Sequence, residues 1–160
     1  MGKTRRTPVS NGRKPVKVTF ELEPSDWHDH ATESMWAVPL GDSKYQIQNV
    51  PFHAYGVSYD DVVIAKPDEQ GRLIVQGVAQ RGGHSTYRMI LNPETSTEEF
   101  EAAWEKLGSL GNTYERATDR LIAIDVPPEA DIYQTFDALQ LGENENFWGF
   151  EEADCGHPLK

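Results

Sequence analysis

The sequence predicts an α+β protein in which a small N-terminal β-barrel-like sheet is followed by a ferredoxin-like βαββαβ unit. Two observations carry this expectation. Residues 16–80 break into short alternating segments separated by turn signals. Residues 84–154 switch hydrophobic period between two and 3.6 in the order strand, helix, strand, strand, helix, strand. The expected organisation is a disordered basic arm over 1–15, a barrel over 16–80, the second unit over 84–154 and a tail over 155–160.

In the first half, Val16, Val18, Phe20 and Leu22 alternate with Lys17, Thr19 and Glu21, the pattern of a half-buried strand. Residues 33–40 and 44–49 flank Gly41-Asp42-Ser43 and read as a hairpin, with Gly41 supplying a positive φ. A third pair, 61–66 and 71–80, is joined by the turn-rich Pro67-Asp68-Glu69-Gln70. Five short strands in this length favour closure into a barrel, which removes exposed strand edges. The linking segment 49–61 is too aromatic for a solvent loop. Phe52, Tyr55 and Tyr59 are expected to plug one end of the barrel or its contact with the second half, and with His53 they form the candidate binding surface.

In the second half, His84, Thr86, Arg88 and Ile90 share one face of a strand, and Ser85, Tyr87, Met89 and Leu91 share the other. Ser96 and Glu99 have capping-box spacing. The helix they open presents Phe100, Ala103, Trp104, Leu107 and Leu110 on one face, and Gly108 and Gly111 end it. Residues 114–117 and 120–126 form a hairpin over Thr118-Asp119. Asp131 caps a second helix with Ile132, Phe136 and Leu139 inward, closed by Gly142 in the left-handed region. Residues 147–154 supply the last strand.

Charge is unevenly distributed. The net charge is −11, yet the first seventeen residues hold six of the fifteen Lys and Arg and no acid, so residues 18–160 hold nine bases against twenty-six acids, or −17. Such a body repels nucleic-acid phosphates and favours basic partners; only the arm could touch nucleic acid. The lone Cys155 rules out an intrachain disulfide and a cysteine-rich zinc site, and a reducing, cytoplasmic compartment of a bacterial or phage-infected cell is expected. Nowhere do eighteen apolar residues run together, so no membrane span is expected.

Several stretches together resemble the bacterial family catalogued as domain of unknown function 4265. They are Glu33-Ser34-Met35-Trp36, the run from Tyr45 to Tyr59 containing Val50-Pro51-Phe52-His53-Ala54-Tyr55-Gly56, the motif Gly83-His84-Ser85-Thr86-Tyr87-Arg88, Ala123-Ile124-Asp125-Val126-Pro127-Pro128, and Trp148-Gly149-Phe150-Glu151-Glu152-Ala153. The resemblance spans about residues 33–154. It implies no activity, cofactor or catalytic residue.

The candidate chemistry lies in Arg81–Arg88. Alternation brings His84 and Arg88 to one face, where neighbouring strands are expected to add Arg120 and one of Glu151 or Glu152. In such a cluster Arg88 would bind a carboxylate or phosphate and His84 would exchange a proton near neutral pH. The favoured expectation for this face is nevertheless structural, a set of hydrogen bonds and an ion pair between two packed halves. Ser85 cannot use its neighbour His84 as a base, because adjacent strand residues diverge. The same divergence argues against shared metal binding by Asp60-Asp61 or Glu151-Glu152. Trp27-His28-Asp29-His30 could offer two imidazoles to a metal with His53, His157 or Cys155 as a third ligand, but a solvated loop is preferred. No metal or cofactor is expected. The leading functional expectation is a non-enzymatic module that binds a basic protein through acidic and aromatic surface, with an immunity or inhibitor role as one form. The alternative is a small enzyme or ligand sensor using the His84/Arg88 face.

Overall fold

Alternation in the first half produces β1 (Val16–Glu21), β2 (Thr32–Gly41), β3 (Lys44–Ile47), β4 (Val62–Pro67) and β5 (Leu73–Gln80), which close into a barrel. The computed structural model describes residues 13–23 and 27–159, so the expectation for the basic arm falls mostly outside the described residues. Successive strands pair antiparallel, and a short parallel pairing of β1 with β5 at Val18↔Leu73 and Thr19↔Ile74 completes the barrel. Bulges at Val62/Val63 and Ile64/Ala65 add the local twist that a small closed sheet needs. The β2–β3 turn places not only Gly41 but also Asp42 and Ser43 at positive φ. Val18, Met35, Ala37, Ile47, Val63 and Ala65 fill the barrel, together with Ala54 and Val57 from the β3–β4 connection.

That connection meets one branch of the expectation and not the other: Tyr55 and Tyr59 lie at the contact with the second half, against Glu151, Arg88 and His84, and do not plug the barrel. The small residues Ala54 and Val57 enter the barrel core, whereas Phe52 is half-buried and Tyr55 is exposed. Tyr55 stays at the surface because its hydroxyl accepts from Trp27 Nε1 at 2.8 Å and donates to Glu151, partners a barrel interior could not offer.

The second half forms a four-stranded antiparallel sheet from β6 (Ser85–Leu91), β7 (Thr113–Arg116), β8 (Leu121–Val126) and β9 (Trp148–Asp154), in the order β7-β8-β6-β9. Two helices, α1 (Thr97–Ser109) and α2 (Ile132–Asn144), bury Phe100, Trp104, Leu107 and Leu139 against Tyr87, Met89, Ile122, Ile124 and Trp148. The reciprocal Ser96–Glu99 capping box opens α1, and the Asp131 carboxylate accepts from Tyr133 and Gln134 at the start of α2.

Two details of α2 differ from the sequence reading. Phe136 is 44% exposed, because the inward position is taken by Thr135, which accepts from Asn112 Nδ2 at 3.0 Å; Phe136 lies on the flank, edge-on to Phe150. Gly142 lies inside the helix and does not close it. A Cβ there would sit 2.0 Å from the Trp148 indole, so the glycine admits the ring, and the left-handed residue after the helix is Asn146 at φ 64°. The tail is also part of the fold. His157 is buried, with Nδ1 2.6 Å from Ser85 Oγ and Nε2 2.9 Å from the Pro127 carbonyl.

Candidate functional site

The face of β6 turned away from the helices carries Thr86 and Arg88, with His84 just before the strand, and it meets the barrel. Arg88 is 1% exposed. Its Nη1 donates to the carbonyls of Pro51 and Ala54 at 3.3 and 2.8 Å, its Nη2 to that of His53 at 3.2 Å, and its Nε to Glu151 at 3.3 Å. The amides of the same loop are taken from the other side. Glu33 of β2 accepts from the N–H groups of Phe52, His53 and Ala54 at 2.7, 2.9 and 2.8 Å. An arginine from the sheet and a glutamate from the barrel thus grip loop 51–54 by its carbonyls and amides, satisfying backbone groups that no strand or helix pairs. Glu33 was not singled out as a site residue by sequence reasoning. Nothing local marks it, since its three partners lie about twenty residues further along the chain.

His84 is 6% exposed and does not join this arrangement. Its Nδ1 lies 2.8 Å from Asp125 of β8, and its Nε2 lies 3.5 Å from Asp60. Burial opposes charge on the ring, but the hydrogen bonds and charges of Asp125 and Asp60 outweigh it and raise the imidazole pKa to about 9. His84 is therefore an imidazolium at neutral pH, with both nitrogens facing carboxylates. That makes it a poor general base and a good bridge between the sheet and the barrel. It borders a cavity of about 460 Å³ shared with Gln48, Tyr59, Asp60, Pro127 and Glu129. Tyr59, 6% exposed, donates to Gln48 Oε1 at 3.3 Å there.

The expected mixed cluster is thus divided. Glu151 reaches Arg88, but Glu152 lies on the helix side of β9, where Tyr87 donates to it at 3.2 Å. Arg120 is drawn away by its Nε bond to the Leu91 carbonyl. The acids of His84 come instead from β8 and from the loop before β4. A second polar group sits between these two. Arg81 pairs with Asp154 and Asp61, and Ser58 Oγ lies 2.7 Å from both Thr86 Oγ1 and Asp154. Burial raises the Asp61 pKa against the amides of Gly82 and Ser58 and the Arg81 charge.

Ser85 points to the opposite face and meets His157, not His84. Its Oγ also accepts from the Gly156 and His157 amides, and the side chain is wholly buried, so the pair closes the tail onto the sheet. The Trp27–His30 segment is a solvated loop at Trp27, Asp29 and His30, which are exposed, and it is pinned to the fold through His28. His28 is 9% exposed, and its ring lies 4.9 Å from that of His53, which stacks on His30 at 4.3 Å. Among the described residues no group of three His, Cys, Asp or Glu is arranged to hold a metal ion.

The family model for the domain of unknown function DUF4265 matches residues 33–150. No curated protein matches the chain. A solved structure described as a novel crystal structure of a hypothetical protein from Neisseria gonorrhoeae is similar, with a TM-score of 0.72, 17% identity, and coverage of 88% of this chain and 96% of that one. At that identity the likeness concerns the fold. Among the described residues no helix is long and apolar enough to cross a membrane.

Proposed function

Because the chain belongs to the DUF4265 family, which is defined by sequence and not by a reaction, we propose from its own surface that it is a non-enzymatic protein-binding module for a basic partner, docked on the helix layer of the second unit. One observation carries the reading: α2 exposes Tyr133 (49%), Phe136 (44%) and Leu141 (61%) within a segment, 121–159, that contains nine acids and no lysine or arginine. Tyr133 and Phe136, three residues apart, are neighbours on the helix surface, and Leu141 lies further along and about 80° round from Tyr133, so the three share the broad outer face of α2 with the exposed acids Asp137 and Glu143. Helix α1 adds the exposed Glu98, Glu99, Glu101 and Glu105 against a single Lys106. Aromatic anchors within a one-signed rim suit a basic protein surface, with the charges steering approach and the rings supplying buried area. Immunity or inhibitor action is one form such binding would take.

Two groups suited to chemistry support this reading by having their polar atoms committed within the fold: Arg88 to loop carbonyls, and His84, at the edge of its cavity, to two carboxylates. We read the second unit as ferredoxin-like, supported by the order β7-β8-β6-β9 and by both helices packing on one face. Photo-cross-linking from position 136 tests the proposed docking.

A further inference from the structure

We propose that the groove between the Trp27–His30 turn and the uncovered end of the β6–β8 sheet face is a binding site for a small amphipathic carboxylate. The sheet explains the groove. The barrel covers this face at Thr86 and Arg88 but stops short of Ile90, which is 39% exposed although β6 is a central strand. Ile90 is flanked by Leu121 on β8 and Gly149 on β9, and nothing lies within 4 Å of where a Cβ on Gly149 would stand. The floor is therefore open and apolar. Trp27 stands over it as a wall common to two lobes of about 230 and 540 Å³, which also share Ile90 and Leu121. Combined, these lie in the size range of small-molecule sites.

Charge selects the ligand. In a chain of net charge −11, this groove is lined by Arg88, Arg120 and three imidazoles, against Glu151 as the one acid. Glu151 is already engaged by Arg88 and Tyr55. Arg120 uses Nε on the Leu91 carbonyl, and no described residue accepts from its two terminal nitrogens, the pair a carboxylate takes side by side. The His53 pKa is lowered by burial first, against the pull of Glu33, and then further by His30, His28 and Arg88. Apolar floor, aromatic wall and an unsatisfied guanidinium at one end together fit an apolar chain or ring carrying one carboxylate.

Titration calorimetry on the full chain with decanoate below its micellar concentration tests the site, with decylammonium and decanol as controls. Decanoate is expected to bind saturably, with decylammonium at least about tenfold weaker. Arg120→Gln should weaken decanoate about tenfold and Ile90→Ser about fivefold, and because both side chains are exposed, neither should move the thermal midpoint. The proposal is overturned if decanoate gives no saturable binding, if the ammonium binds as tightly as the carboxylate, or if both variants bind like the wild type.

Discussion

The Arg88 guanidinium carbon lies 4.6 Å from the centre of the Tyr55 ring, so an arginine of the central strand is roofed by an aromatic residue of the loop whose carbonyls it holds. The planar fork is what the arrangement requires, because three carbonyls, one carboxylate and one ring are addressed from a single side chain. Lysine offers one centre and no plane to stack. Arg88→Lys is expected to cost about 3 kcal/mol or more, since it strands buried carbonyls of Pro51, His53 and Ala54. Urea denaturation reads this as a lower midpoint at unchanged slope. A midpoint within error of wild type would show that loop 51–54 is held without Arg88.

Gly142 gives a prediction of unusual sign. Replacing a mid-helix glycine by alanine ordinarily stabilises by about 1 kcal/mol. Here the new methyl would stand 2.0 Å from Cζ2 of Trp148, a ring 1% exposed whose Nε1 donates to the Leu139 carbonyl at 2.9 Å. The indole cannot retreat without breaking that bond, so Gly142→Ala should destabilise by about 1–3 kcal/mol, as overpacking does. Differential scanning calorimetry would show a lower melting temperature; a higher one would mean that α2 and β9 can part at no cost.

The pH dependence of stability follows from His84. Its folded pKa of about 9 lies above its ordinary 6.5, so the charged ring contributes stability that is fully present below about 6.5 and is lost as pH rises through 9. The loss is on the order of 2–3 kcal/mol. Chemical denaturation at pH 6.5 and pH 9.5 should show this fall in the wild type and a much smaller one in His84→Gln. An equal fall in both would assign it to other groups.

The sequence revealed features whose physical cause is local. Alternation located the strands of both halves, and the Ser96–Glu99 spacing located the start of α1, because a capping box is complete within four residues. The candidate site was less legible for the opposite reason. The acid that holds His84 comes from position 125, the amides held by Glu33 belong to residues 52–54, and His53 meets the imidazoles of residues 28 and 30 across the fold. Each pairing depends on how the barrel rests on the sheet, which no periodicity encodes. Strand alternation did separate Glu151 from Glu152, but a single sequence could not say which of them shares a face with Arg88 once a bulge at Thr86/Tyr87 had shifted the β6–β9 register. Gly142 carried the appearance of a terminator because its real constraint, an indole from the next strand, lies outside the helix.

Binding of a basic partner on the helix layer is the function proposed for this protein. The most direct measurement places a benzophenone amino acid at position 136 of the full chain in its native host, with controls at Tyr55 and at Val78 on the barrel. Irradiation should give a discrete adduct from position 136 and none from 78, with a basic protein as the captured species, and the adduct should fade when Asp137→Lys reverses the neighbouring charge. Adducts from position 55 with none from 136, or an acidic captured protein at position 136, would contradict the claim.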